Sequence, residues 1–271
     1  LLNSMGLFFY SRGDWRRAGR LVRRGLAVAE RVADERQVVK LRNNLGNVLW
    51  KTGDYGGAIA RYRENLAVCE ASHDLWGQLT ALNNLGIMNC ALGDWRAARG
   101  FLERSLDMKR RLGAREAEAL ARLNLGEVEE VLGDWARARR HLDRVLKILA
   151  DTPEHTDRVE AGALLAALAR KRGAFAEAEV LATEALELAE RTGDRDLLSY
   201  CHYHRGLVDR DRENWAAAQA HLETALEMAV GADTREAFAR LHHALADLAL
   251  RRGQPAAAID HAREAARWAQ Q

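Results

Sequence analysis

The chain has 271 residues, with 41 basic side chains against 39 acidic ones, only 2 prolines and 3 cysteines. The near-neutral charge balance gives no general attraction to nucleic acid or to an anionic membrane, so neither partner is expected. The scarcity of proline indicates helix throughout, and the three scattered cysteines favour a reducing, cytoplasmic compartment over a disulfide framework.

One short pattern recurs every 40 residues along the chain. It combines a turn, usually Gly-Asp followed by an aromatic residue, with an alanine five residues after the first turn residue. The turns begin at Gly13, Gly53, Gly93, Gly133, Gly173, Glu213 and Gly253, and the alanines are Ala18, Ala58, Ala98, Ala138, Ala178, Ala218 and Ala258. A strict period of this length predicts an array of stacked units instead of a single globular core.

Each unit is predicted to be two antiparallel helices joined by a tight turn. In the second unit, Asp34 is the predicted N-cap of a first helix with an apolar stripe. Gly53 would end that helix, and Asp54 would cap the second helix. The same reading places an N-cap at Asp74 and at Asp194 in later units.

In chain order, the units are predicted at residues 1–33, 34–73, 74–113, 114–153, 154–193, 194–233 and 234–271. They are expected to form one solenoid over the whole chain. Because Leu1 falls inside the first helix of a unit whose earlier residues are absent, we expect the chain to be part of a longer protein.

Small residues also recur on the first helix of each unit. They are Gly6, Gly46, Gly86, Gly126, Ala166, Gly206 and Ala246. Glycine in a helix interior costs about 1 kcal/mol relative to alanine. Its recurrence therefore predicts that the two helices of a unit approach closely at this position.

The string Leu45-Gly46, Gly53-Asp54-Tyr55, Ala58, Tyr62 and Leu66 resembles the tetratricopeptide repeat. The 40-residue period is similar to the longer variant found in kinesin light chain, Pins-type adaptors, MalT-like regulators and the sensor domains of signal-transduction ATPases. The resemblance covers essentially the whole chain and implies an all-α, right-handed superhelix of seven helix-turn-helix repeats. It also implies that the first helices line a concave groove that binds a partner.

Asparagines recur on the predicted groove face of successive first helices. They are Asn43, Asn44 and Asn47, then Asn83 and Asn84, then Asn124. Asparagine is a poor residue inside a helix, but its amide offers the donor and the acceptor that a peptide unit needs. Two interpretations are open: a ladder that holds an extended peptide, as in peptide-binding members of the resembled family, or hydrogen bonds that set the spacing between neighbouring helices.

Charged and aromatic residues on the same face are candidates for specificity. The candidates are Trp50 and Lys51, the acidic Glu127, and Arg170, Tyr203 and His204, with further basic residues at Lys171, Arg210, Arg240 and Arg251. Such an alternating face would prefer a partner with the complementary order of charges. The other interpretation is a solvated helix face that keeps the chain soluble.

Signals for catalysis, cofactors or metals are weak. The sequence has no Gly-x-x-x-x-Gly-Lys-Ser/Thr loop and no His-Glu-x-x-His motif, so we expect no enzyme activity, no cofactor and no metal. The nearest metal-like feature is a set of histidines that stacking would bring together across one repeat, namely His202, His204, His242 and His243.

The predicted function is to hold an extended peptide or protein segment in the concave groove. An alternative is that the chain is the effector-sensing C-terminal arm of a bacterial signalling ATPase or transcription regulator. Self-association through uncapped ends is a third possibility, because no polar helix follows the alanine-rich last helix.

Overall fold

The computed structural model describes residues 1–152, 154–229 and 234–270. These ranges contain fourteen helices and no strand. The helices are α1 (Leu2–Ser11), α2 (Trp15–Arg31), α3 (Glu35–Lys51), α4 (Tyr55–Ala71), α5 (Leu75–Ala91), α6 (Trp95–Arg111), α7 (Arg115–Val131), α8 (Trp135–Ile148), α9 (Thr156–Lys171), α10 (Phe175–Thr192), α11 (Arg195–Asp211), α12 (Trp215–Met228), α13 (Thr234–Arg251) and α14 (Pro255–Gln270). The predicted all-α fold of stacked helix pairs, an α-solenoid of the tetratricopeptide type, is confirmed. Two predicted unit boundaries, at residues 153 and 233, lie outside the described residues.

The helices form two compact units, residues 1–132 with α1–α7 and residues 133–271 with α8–α14. In the first unit, the first helices of successive pairs contact one another in the order α1, α3, α5 and α7, and in the second unit α9, α11 and α13 do the same. Within the described residues of each unit, the second helices of neighbouring pairs make no such contact. The first helices therefore line the inner face of each unit. A single solenoid over residues 1–271 stays a prediction.

The turns have the predicted capping chemistry. Asp54 accepts a hydrogen bond from the Gly57 backbone N–H at 2.8 Å, and Asp34, Asp74 and Asp194 cap their helices in the same way. Gly53 has a φ of +83°, the left-handed conformation that glycine adopts most easily. Glu213 replaces glycine at a φ of +64°. This turn therefore holds a side chain in a conformation that side chains disfavour.

The two helices of a pair touch at the recurring small residues. A Cβ atom added to Gly46 would lie 2.5 Å from Tyr62 Cε1, and one added to Gly86 would lie 2.6 Å from Leu102 Cδ2. The matching alanines of the second helices, Ala58 among them, are buried. The close approach predicted from the recurring glycines is therefore confirmed.

Two glycines of one helix pair give a matched test of this packing. Gly86→Ala is expected to lower the free energy of unfolding by about 1–3 kcal/mol, because the new methyl group overpacks the contact with Leu102. Gly100→Ala on α6 is expected to raise it by up to about 1 kcal/mol, because this exposed glycine has open space around its Cα and alanine is the better helix former. Reversible denaturant unfolding followed by circular dichroism measures both, and equal effects would contradict the packing argument.

Candidate functional site

Asparagines tie neighbouring first helices together on the inner face of the first unit. Asn44 Nδ2 donates to Asn3 Oδ1 at 2.7 Å, and one repeat further on Asn84 Nδ2 donates to Asn43 Oδ1 at 2.8 Å. Each bond joins residues 41 positions apart, so both have the same register. We call Asn3, Asn43, Asn44 and Asn84 the amide row. These bonds fit the interpretation that asparagines set the spacing between helices.

Two further asparagines bond to second helices. Asn47 Oδ1 accepts from the Tyr62 hydroxyl at 2.6 Å, and Asn83 Oδ1 accepts from Lys109 Nζ at 3.3 Å. Asn124 lies half-buried on the same face of α7. A primary amide has two N–H donors and a carbonyl with two lone pairs, so none of these recorded bonds uses the whole capacity of its side chain. Ligand binding by these residues stays a prediction.

A groove of about 710 Å³ opens beside the amide row, between the N-terminal halves of α3 and α5. Its walls include amides, a hydroxyl group, an ammonium group and an aromatic ring, from Asn3, Asn43, Asn44, Thr80, Lys40 and Trp76. Two basic and two acidic residues, Arg36, Lys40, Glu35 and Asp74, balance its charge. The amide row and the groove therefore share three asparagines.

Trp76 lies in this groove although it was not among the residues expected at the site. Its side chain lines this groove and is 63% exposed, which is unusual for so large an apolar group. The sequence could have indicated it, because Trp76 lies in the first turn of α5, whereas the repeat places its aromatic residue directly after the Gly-Asp turn. An exposed aromatic ring beside amides is a typical anchor point for a ligand.

The other candidates of the first unit lie further along the inner face. Lys51 Nζ lies 5.1 Å from the centre of the Trp50 ring, in cation–π contact. Glu127 is exposed on α7. Burial raises the pKa of the Cys90 thiol to about 11, with a further contribution from the charge of Glu127. The structure thus places Trp50 next to Lys51 and Glu127 close to Cys90.

Ion pairs occupy the inner face of the second unit. Arg170 Nη1 lies 2.5 Å from Asp211 Oδ2, again 41 positions apart, and Arg210 contacts both Asp211 and Asp247. Burial by itself raises the pKa of Asp211, but hydrogen bonds from Arg170 and Arg210 outweigh it and lower the pKa. Arg251 completes the row at Asp247. Arg170, a predicted specificity residue, is therefore part of this ionic row.

His204 is buried beneath an aromatic and cationic surface. Its ring lies 4.5 Å from the Tyr200 ring and 5.1 Å from the Tyr203 ring, centre to centre. The Arg240 guanidinium lies above both tyrosine rings, at 5.6 Å and 4.9 Å from their centres. Burial, and then the charges of Arg240, Arg170 and Lys171, lower the pKa of His204 to about 3. The imidazole is therefore neutral near neutral pH.

Two contacts between histidines each join the first and second helix of one helix pair, α11 to α12 and α13 to α14. His202 Nδ1 lies 2.9 Å from His221 Nδ1, and His242 Nδ1 lies 3.1 Å from His261 Nδ1. Both contacts lie within a helix pair, whereas the approach of His202 to His242 across one repeat stays a prediction. The sequence contains an indication of these contacts, because His202 and His221 both recur 40 residues later, as His242 and His261. Within the described ranges, no three metal-binding side chains converge.

Burial lowers the pKa of His202, and the charge of His221 adds to this effect. Burial also lowers the pKa of His221, against the opposing charge of Asp209. At His242, burial is again the main cause of a lowered pKa, and His261 contributes. Protonating any of these imidazoles therefore costs more free energy in the folded state than in the unfolded chain.

Acidification is therefore expected to destabilise the protein. These histidines have lower pKa values when folded, so the unfolded chain binds more protons below about pH 6.5. The free energy of unfolding should fall as the pH decreases from about 7.5, and the contribution of His204 should keep falling towards its folded pKa of about 3. Denaturant unfolding between about pH 8 and about pH 5 measures the slope.

The variant His204→Leu should reduce this slope, because it removes the most strongly shifted imidazole. His243→Gln is the control, since His243 is an exposed histidine on the inner-face helix of the next repeat, one residue before the position that matches His204. If the free energy of unfolding depends on pH equally in the wild type and in His204→Leu, the proposed contribution of His204 is wrong.

Profiles of the tetratricopeptide repeat match most of the sequence. One matches residues 1–71, 37–111 and 116–191, and a second with the same description matches residues 198–271. No curated protein sequence is similar enough to count as a match. Among the described residues, no helix is both long and apolar enough to cross a membrane.

Solved structures share the fold at low sequence identity. The apo form of RapI has a TM-score of 0.85 at 13% identity, over 99% of this chain and 96% of that one. The Rap conjugation gene regulator of the plasmid pLS20, in complex with the Phr* peptide, has a TM-score of 0.71 at 13% identity, over 98% and 72%. A signal transduction ATPase with a tetratricopeptide repeat sensor, from Pyrococcus horikoshii, has a TM-score of 0.74 at 15% identity, over 98% and 42%.

Proposed function

Because the chain belongs to the tetratricopeptide repeat family, we propose that its inner face binds an extended segment of a peptide or protein. The groove of the first unit carries this proposal. Its volume of about 710 Å³ lies within the range of typical ligand sites. It opens between two first helices and combines hydrogen-bonding amides with an exposed aromatic ring.

The amide row can serve the fold and the ligand together. In the Asn43–Asn84 pair, Asn84 supplies one N–H and Asn43 accepts it. Both N–H groups of Asn43 and the Oδ1 of Asn84 take no part in that bond. An extended backbone presents a donor and an acceptor in every peptide unit, so the proposed ladder pairs these amides with the ligand main chain without reading its sequence.

Specificity in this proposal comes from the side chains around the ladder. Trp76 and Lys40 act at the groove itself. Trp50, Lys51 and Glu127 extend the surface in the first unit, while Arg170, Tyr203 and His204 belong to the inner face of the second unit. A regulator that was solved with a bound peptide shares the fold, which supports a peptide as the class of ligand.

A second candidate is the sensing arm of a larger signalling protein. The observation in its favour is that 98% of this chain aligns with only 42% of an ATPase whose tetratricopeptide repeats form a sensor. In that role, the groove would receive an effector whose binding shifts an equilibrium elsewhere in the protein. The coding sequence upstream of Leu1 separates the candidates, because a nucleotide-binding loop there would favour the sensor.

Trp76→Ala tests the groove. Peptides are selected on the wild-type protein from a displayed library of random unstructured sequences, and their affinities are measured by fluorescence anisotropy. Losing an aromatic anchor should weaken binding by about tenfold or more. Leu75→Ala, at the adjacent exposed residue, is the matched control and should stay within about twofold. Equal losses in both variants, or no selectable peptide, would contradict the proposal.

The pair Asn43→Ala and Asn84→Ala separates ligand binding from helix spacing. Each variant removes the same 2.8 Å hydrogen bond, so each should lower the free energy of unfolding by about 1 kcal/mol. Only Asn43 lines the groove, and peptide affinity should therefore fall further in Asn43→Ala. Identical affinities for the two variants would leave the asparagines with a structural role alone.

A further inference from the structure

Two second helices, one in each unit, carry opposite charges. α2 contains six arginines and one glutamate, whereas α10 contains five glutamates and one arginine. Both lie away from the inner face of their unit, since α2 packs against α1 and α3, and α10 packs against α9 and α11. The chain therefore has a basic surface on the outer side of the first unit and an acidic surface on the outer side of the second unit.

Arg20, Arg24 and Val28 form an exposed stripe along α2, which we call the basic stripe. They follow one another at four-residue spacing, so they lie on one face of the helix. Within the described residues, Arg17 alone among the arginines of α2 forms an ion pair, with Asp14. Val28 is 43% exposed. The guanidinium groups of Arg20 and Arg24 are thus available to a partner, next to an exposed apolar side chain.

Val180, Glu184 and Glu187 form the corresponding stripe on α10, which we call the acidic stripe. Their spacing of four and three residues again places them on one helix face. Glu177 and Glu179 of the same helix are paired with arginines. By contrast, Glu184 and Glu187 are exposed and make no ion pair within the described part of the chain. Val180 is 56% exposed, so this stripe also combines two available charges with an apolar side chain.

The two stripes carry matching groups in opposite order along the chain. From the N-terminal end, the basic stripe reads Arg, Arg, Val and the acidic stripe reads Val, Glu, Glu. An antiparallel contact between the stripes would join Val28 with Val180, Arg24 with Glu184, and Arg20 with Glu187. A parallel contact would set each valine against a charged side chain, which is unfavourable because the charge loses water without gaining a partner. The stripes are therefore complementary in charge, spacing and orientation.

We infer that the basic stripe of one copy of this chain binds the acidic stripe of a second copy. Because the contact uses a different surface on each copy, every bound copy keeps one stripe open. Association would therefore continue beyond a dimer unless a ring closes. Exposed ion pairs are individually weak, and a contact of a few side chains per copy is smaller than a stable interface. The association should thus be weak and sensitive to salt.

This contact leaves the inner faces open, because both stripes lie on second helices. Copies joined in this way would present several inner faces together, which strengthens the binding of a ligand with more than one binding segment. The inference does not depend on the proposed function, since neither stripe contains a residue that lines the groove.

Analytical ultracentrifugation of the 271-residue chain tests the inference. The weight-average mass is measured from about 5 to about 500 µM protein, in about 20 mM and about 500 mM NaCl. At low salt, the mass should rise with concentration above the monomer mass of 30.3 kDa. At high salt, it should stay near the monomer mass, because mobile ions screen the charges of both stripes.

Charge reversal of one stripe at a time identifies the two surfaces. The variants Arg20→Glu/Arg24→Glu and Glu184→Arg/Glu187→Arg should each stay monomeric at low salt, because stripes of like charge then face each other. An equimolar mixture of the two variants should associate again, because the unchanged stripe of each variant fits the unchanged stripe of the other.

Arg63→Glu/Arg96→Glu is the matched control. It makes the same change of net charge at exposed residues of two other second helices, α4 and α6. Its association constant should stay within about twofold of the wild-type value, because the charges lie outside both stripes. Circular dichroism of each variant establishes that it is folded.

A wild-type chain that stays monomeric at every concentration in low salt would overturn the inference, and so would a mixture of the two reversed variants that fails to associate. Association that is lost in Arg20→Glu/Arg24→Glu but kept in Glu184→Arg/Glu187→Arg would also overturn it. In that case, the basic stripe binds a different anion, such as co-purified nucleic acid, and not the acidic stripe of a second copy.

Discussion

The two helices of a pair touch through a small residue on the first helix, and the positions of the surrounding side chains follow from that contact. At Gly86 there is no room for a Cβ, because the buried Leu102 fills the space. The same lack of room for a Cβ is found at Gly6, Gly46 and Gly206, which follow the 40-residue period. Side chains at equivalent positions in successive helix pairs therefore lie in rows along the inner face. A row offers several hydrogen-bonding or charged groups along one line, which the proposed extended peptide requires.

The two units use the same register of rows with different chemistry. In the first unit, residues 41 positions apart are joined by neutral amides. In the second unit, the same spacing joins Arg170 to Asp211 through an ion pair. Amides offer uniform donors and acceptors, whereas the ionic row concentrates charge on the surface. In the proposed function, the amides of the first unit hold the main chain of the peptide, and the charged side chains of the second unit contribute specificity.

The proposed peptide function depends on polar groups that the fold leaves incompletely used. An amide pair uses one of its four N–H groups. Asn43 and Asn84 are half-buried, so water can satisfy the unused groups until a ligand replaces it. The proposed function uses their position on the inner face of the first unit.

The sequence by itself determined the fold, because its signals are local and repeated. The glycine turn at Gly53, the cap at Asp54 and the buried Ala58 each act over a few residues, and the period multiplies them. The positions of the inner-face candidates followed from the same register. Tertiary structure decided which side chains meet across helices, such as Asn43 with Asn84 and His202 with His221. The period gives the height of a residue along a helix, but the pairing depends on the lateral offset and rotation of the helices, which packing sets.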